Sequence, residues 1–153
     1  MRIFGVLIIA VSLLLTILCC FFGLPLPTAL NGLLDIASLI CVLGPVLGGC
    51  LVAYGSEWGA AFKLRPNREE AEIAVGVYKL AVRISIGAGF IGVMFGVIAM
   101  LGAMGAGSGG MDMGALTGGA AVALITALYG LVFAFCFFLP LQYYFQHQLD
   151  KDS

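Results

Sequence analysis

Residues 115–140 read ALTGGAAVALITALYGLVFAFCFFLP, and this stretch decides the fold class of the chain. It contains no charged residue, and it exceeds the about 20 apolar residues that a helix needs to cross a membrane. Similar stretches lie at about 3–23, 36–55 and 84–104. The sequence therefore predicts an all-α integral membrane protein with four transmembrane helices in a single membrane domain, 1–153.

The composition excludes an independent soluble domain. Of the 153 residues, 62% are hydrophobic and 10% are charged, and the mean hydropathy is +1.14. A water-facing surface would need roughly a quarter of its residues charged. A lipid membrane is therefore the expected environment, and no nucleic-acid partner is expected.

The basic residues all fall on one side of this four-span arrangement. They lie at the two ends or in and beside the connection 56–83, as Arg2, Lys63, Arg65, Arg68, Lys79, Arg83 and Lys151. The connections 24–35 and 105–114 contain no Lys or Arg. Because basic residues near membrane spans stay in the cytoplasm, both termini and the connection 56–83 are predicted to be cytoplasmic.

The N-terminal stretch is predicted to be a retained span. A cleaved signal peptide is the alternative, but the apolar run is long, and Leu18-Cys19-Cys20 stands where a small-residue cleavage site is expected. A lipoprotein signal is disfavoured because Leu18 replaces the small residue usual before an acylated Cys.

No catalytic, metal or cofactor chemistry is visible in the sequence. All five cysteines lie inside apolar spans, without a C-x-x-C pair or a nearby acidic residue or histidine. They are interpreted as packing residues. His147 lies in the polar tail and is interpreted as solvated. The spans contain no Asp, Glu, Lys, Arg or His, whereas a proton relay or coupled transporter usually has such a group there. An enzyme is not expected.

The connection 56–83 has the start signals of a helix. Pro66 and Asn67 precede Glu69 and Glu70, which supplies a cap and early carboxylates that favour the positive end of the helix dipole. This helix is predicted to run directly into the third span. Its charges are interpreted as a solvated face.

Small residues recur at helical spacing in the third and fourth spans. Lipid gives no hydrophobic drive for helix association, so close backbone contact through small residues must supply it. We therefore expect these spans to lie inside an assembly, with the first span outside. The predicted packing residues are Gly89, Gly92, Gly96, Gly119, Ala123 and Gly130.

Three spans carry motifs that resemble those of the MotA/TolQ/ExbB family, and its MotA branch in particular. Residues 121–130 read AVALITALYG, and 137–141 read FFLPL, which is similar to that branch's AVALLTTLYG followed by FLPL. Residues 89–97, GFIGVMFGV, resemble GxIGTxxGL, and residues 34–44, LDIASLICVLG, resemble LDxPSLLIVxG. The matches occur in the family's order and cover about half of the chain.

The resemblance implies a homopentamer in the bacterial inner membrane, whose third and fourth spans surround a pore. Two copies of a single-span partner of the MotB/ExbD type would occupy the pore and carry the ion-binding aspartate. The ion-pathway positions it implies are Thr126, Val93, Ala127 and Pro140. Val93 and Ala127 stand where the family has threonine, and Ile86 stands where the third span usually opens with proline. The connection 56–83 is also too short for the large cytoplasmic domain that engages a flagellar rotor.

Three hypotheses follow. The first is a minimal motor or ion-channel subunit that couples ion flow to movement of its partner. The second is an ion-silent membrane scaffold or assembly protein of the same fold, which the two lost hydroxyls favour. The third is an unrelated four-span membrane protein, in which case the fourth-span match is chance.

Overall fold

The structure, a computed structural model, describes residues 35–63, 66–105 and 113–151. All regular elements in these ranges are helical, with no strand among them. The predicted first span, 3–23, lies outside the described residues. So do all of the connection 24–35 except Asp35 and most of the connection 105–114.

Helix α1, Ile36–Tyr54, is followed by a 3-10 helix, Gly55–Phe62. Gly55 has φ +54°, a backbone conformation that favours glycine. One stripe of α1 is buried at every fourth residue, as Ser38, Val42, Val46 and Cys50. This spacing keeps the stripe on one helix face, which packs against the rest of the molecule.

Helix α2, Arg68–Gly105, has 38 residues and is about 57 Å long at 1.5 Å per residue. Asn67 stands at its N-cap position, and the Asn67 backbone N–H donates to Glu70 Oε2 at 3.0 Å. The Ala71 N–H donates to the Asn67 carbonyl at 2.9 Å. The bond from Asn67 to Glu70 is the reciprocal, carboxylate half of a capping box. The predicted helix start and its unbroken run into the third span are confirmed.

Helix α3, Met113–Val132, continues through a π-helical segment, Phe133–Phe138, into helix α4, Leu139–Lys151. In this segment the Leu139 N–H donates to the Ala134 carbonyl, five residues back. A proline ring clashes with the carbonyl four residues before it in an α-helix. For Pro140 that carbonyl belongs to Cys136, inside the π-helical segment. The wider turn is the expected response to that proline.

The described helices share one buried hydrophobic cluster. It lies near the helix ends that carry the charged residues. Tyr78 of α2 is buried there, and its ring stacks on Phe145 of α4 with the centroids 5.6 Å apart. The Tyr78 hydroxyl donates to the Ala61 carbonyl of the 3-10 helix at 2.6 Å. One side chain thus links three elements.

Three helical stretches are long and apolar enough to cross a membrane: Ile36–Phe62, Arg68–Gly102 and Leu116–Lys151. The all-α class and the membrane character of the chain agree with this finding. The predicted second span falls within the first of these stretches, and the predicted third and fourth spans overlap the other two except for one or two residues at one end. Their sidedness and a fourth span stay predictions.

Candidate functional site

Helices α2 and α3 approach each other at backbone distance. A β-carbon added to Gly130 would lie 2.7 Å from the Ser85 carbonyl oxygen and 2.9 Å from the Gly89 Cα atom. Real β-carbons essentially never come so close to backbone atoms. This helix contact therefore requires glycine at position 130.

The close contact continues along both helices in antiparallel order. A β-carbon added to Gly96 would lie 2.9 Å from the Ala123 Cα atom and 3.0 Å from the Gly119 carbonyl oxygen. One added to Gly119 would lie 2.8 Å from Met100 Cγ. The structure brings all six of the predicted packing residues to this α2–α3 contact.

Thr126 lies in the middle of the contact, opposite Gly92. A β-carbon on Gly92 would lie 2.7 Å from Thr126 Cβ, so the missing side chain of Gly92 leaves the space that Thr126 fills. Thr126 is 2% exposed. Of the four ion-pathway positions predicted by resemblance, this one is enclosed within the subunit.

The Thr126 hydroxyl forms a hydrogen bond with a residue of α1. Thr126 Oγ1 lies 2.8 Å from Ser38 Oγ and 2.7 Å from the Val122 carbonyl oxygen, either of which can accept its single proton. Ser38 is 1% exposed. The sequence placed Ser38 and Thr126 in two separate motifs. Their contact, 88 residues apart in the chain, was not predicted.

The other predicted pathway residues lie nearer the surface. Val93 and Ala127 are half-buried, and Pro140 is exposed. The Ala127 Cα atom lies 3.6 Å from where a β-carbon of Gly89 would stand, so Ala127 flanks the α2–α3 contact. The structure brings Thr126 and Ala127 to that contact. The ion-pathway role of all four residues stays a prediction.

The outer surface of α3 and of the 84–105 part of α2 is apolar. Between 84 and 105 and between 113 and 141 the sequence has no Asp, Glu, Lys, Arg or His. Thr117 is exposed, but its hydroxyl donates to the Met113 and Gly114 carbonyls of its own helix. Large exposed side chains include Phe90, Ile91, Met94, Phe95, Ile98, Leu124, Leu128 and Leu131. This surface suits lipid or other helices, and it supplies no titrating carboxylate.

Ser85 is a further buried hydroxyl of α2. It is fully buried, and its Oγ atom has no hydrogen-bond partner in the described part of the chain. Its own carbonyl oxygen faces Gly130. Sequence reasoning did not single out the Ser85 hydroxyl.

Charged side chains are concentrated where α2 begins. Lys63 Nζ pairs with Glu70 Oε1, and Arg68 Nε lies 3.8 Å from Glu72 Oε1. The hydrogen bond from Lys63, followed by the one from the Asn67 backbone, holds the pKa of Glu70 below its ordinary value. These pairs are exposed, and exposed ion pairs contribute little stability.

Comparison with known proteins bears on the same helices. A family model described as the MotA/TolQ/ExbB proton channel family matches residues 63–153, more than half of the chain. The match spans α2, α3 and α4, and so includes the α2–α3 contact. A search of curated proteins found no match to this chain.

Proposed function

The chain belongs to the MotA/TolQ/ExbB proton channel family, and from this premise we propose that it is the ring-forming subunit of a membrane motor complex. Five copies form a ring in the bacterial inner membrane, with α2 and α3 around a central pore. Two copies of a MotB/ExbD-like single-span protein occupy the pore. Ion flow along the pore drives movement of that partner.

The observation that supports this proposal most is the apolar surface of α2 and α3. A proton pathway needs a group that binds and releases the proton, and intramembrane carboxylates usually serve in that role. The described spans have none, so the titrating group must come from another chain. A partner helix with an aspartate, held inside the ring, supplies it.

The predicted pathway runs along the flank of the α2–α3 contact. Val93 and Ala127 are its wall residues, with Thr126 behind them and Pro140 in the first turn of α4. Two of these four positions lack the hydroxyl that the family's pattern places there. The route through this ring is therefore formed by water and by the partner's groups.

The oligomer is tested by purifying the chain together with the single-span protein encoded nearest to its gene. Native mass spectrometry should give five copies of this chain and two of the partner. A stable monomer that retains no partner would reject the ring. Proton flux into vesicles that contain both chains should then depend on the partner's intramembrane aspartate and be lost in its Asp→Asn variant.

The ion-silent scaffold is the second candidate function. Val93 and Ala127 favour it because neither can bind a dehydrated ion or hold a water chain. The Thr126 hydroxyl, which is bonded within the subunit, adds to that case. In this candidate the five-to-two complex assembles normally, and the flux equals that of vesicles without protein.

A further inference from the structure

The Ser38–Thr126 hydrogen bond joins α1 and α3, two of the three motif-bearing helices, in the interior of the subunit. Its oxygen atoms are 2.8 Å apart, and both residues are at most 2% exposed. Thr126 also packs against Gly92 of α2. The pair therefore lies where three helices meet.

The chemistry of a hydroxyl limits what else Thr126 can do. A threonine hydroxyl has a single proton, and here the acceptors within its reach are Ser38 Oγ and the Val122 carbonyl, one at a time. Both acceptors are inside the subunit. Because Thr126 is 2% exposed, neither this proton nor the oxygen lone pairs that would bind a cation reach the outer flank of α3.

The direction of Thr126 also determines the direction of its neighbour. Successive residues of an α-helix are about 100° apart around the axis. With Thr126 held between α1 and α2, Ala127 is placed beside Gly89 at the flank of the α2–α3 contact. A rotation of α3 that broke the Ser38 bond would move Ala127 away from that flank.

We infer that Ser38 is a positioning residue: through Thr126 it fixes the rotation of α3, and with it the surface that α3 presents to the pore. The effect on ion flow rests on the proposed function, whereas the positioning itself does not. Thr126 is then a structural hydroxyl and not an ion ligand.

A double-mutant cycle tests the pairing. Ser38→Ala and Thr126→Val should each lower the equilibrium constant for folding in mixed micelles by about 3- to 10-fold, the range of interhelical hydrogen bonds in membranes. The double variant should lose no more than the worse single variant, because the same bond is removed twice. Thr126→Ser, which keeps the hydroxyl, should remain coupled to Ser38.

Val42→Ala is the matched control, since Val42 is fully buried on the same face of α1 and has no hydroxyl. Its effect should add to that of Thr126→Val. Additive effects in the Ser38 and Thr126 cycle would overturn the pairing. This result does not depend on ion flux, so it stands even where the wild-type complex conducts nothing and the proposed ion coupling fails.

Flux separates positioning from general loss of stability. With equal amounts of assembled complex in vesicles, Ser38→Ala should reduce flux by the same factor as Thr126→Val, and Ser38→Thr should restore it. Val42→Ala should conduct like wild type. Loss of flux in Thr126→Val with wild-type flux in Ser38→Ala would overturn the inference and make Thr126 an ion ligand.

Discussion

At the residue scale, helices α2 and α3 can touch because glycine has no β-carbon at a few positions. Where α2 meets α3, the space of a side chain is taken by backbone atoms of the facing helix at Gly130 and Gly96, and by the Thr126 side chain at Gly92. In lipid this close contact replaces the hydrophobic drive that operates in water. The α2–α3 pair should therefore tolerate a methyl group poorly at these positions and easily elsewhere.

Gly96→Ala tests the contact. Its new methyl group would meet Ala123 Cα at 2.9 Å and the Gly119 carbonyl at 3.0 Å, and backbone atoms can yield only if the helices part. We expect a loss of about 1–3 kcal/mol in the free energy of unfolding, measured by titration with a denaturing detergent. Gly87→Ala is the control, since nothing lies within 4 Å of its added β-carbon. It should be neutral or gain up to about 1 kcal/mol from helix propensity. Equal effects of the two variants would contradict a contact at backbone distance.

Glu70 gives the start of α2 a pH dependence. Its pKa is lowered by the Lys63 hydrogen bond first and by the Asn67 N–H second. Stabilisation of the helix start is therefore fully present above the unfolded pKa of about 4.3 and is lost as the pH falls through the lower folded pKa. Hydrogen exchange of the first turns of α2 should accelerate in acid, after correction for the intrinsic rates. Glu70→Gln should abolish this change, and Glu69→Gln should keep it. Persistence of the pH dependence in Glu70→Gln would assign it to another group.

At the element scale, local signals in the sequence predicted some boundaries and missed others. The start of α2 was predictable because the cap Asn67 and the Glu70 carboxylate act within one turn. The π-helical segment Phe133–Phe138 was not predicted, although Pro140 is the residue that disturbs the helix there. Whether a proline kinks, ends or widens a helix depends on packing, and Ala134 in that segment is fully buried.

The same distinction holds for the candidate site. The spacing of small residues predicted a packing face on each of α2 and α3, because helical periodicity is local information, but it did not predict which residues of the two helices face each other. The Ser38–Thr126 bond depends on how α1 lies across the other two helices, and no local pattern reports that. Nothing in the sequence alone separates a hydroxyl that faces a pore from one that faces a neighbouring helix.

At the element scale, we predict that Phe145 holds α4 against α2. Phe145 is 3% exposed and stacks on Tyr78. Phe145→Ala should therefore weaken the packing of α4 on α2 by about 3–5 kcal/mol of free energy. We expect α4 to become sensitive to limited proteolysis while α2 and α3 stay protected. Tyr143→Ala serves as the control because Tyr143 is 62% exposed, and it should digest like wild type. If α4 stays protected in Phe145→Ala, another contact must hold it.

At the scale of the whole molecule, helix length exceeds membrane thickness. Helix α2 is about 57 Å long, whereas the hydrocarbon layer is about 30 Å thick. The uncharged part, 84–105, accounts for about 33 Å of it. With 84–105 in the membrane, we predict that the charged part, 68–83, projects from it, together with the 3-10 helix, Lys63 and α4. Five copies of this projection would form a short collar on one face of the ring.

The collar gives the last prediction, which concerns sidedness. The basic residues Lys63, Arg68, Lys79, Arg83 and Lys151 all belong to the projecting part, and basic residues beside spans remain in the cytoplasm. Green fluorescent protein fused after residue 153 should therefore fluoresce. Alkaline phosphatase inserted in the connection 105–114 should be active, and the same enzyme fused after residue 153 should be inactive. The reverse pattern would place the collar outside the cytoplasm, and the charged pairs at the start of α2 would then face the periplasm.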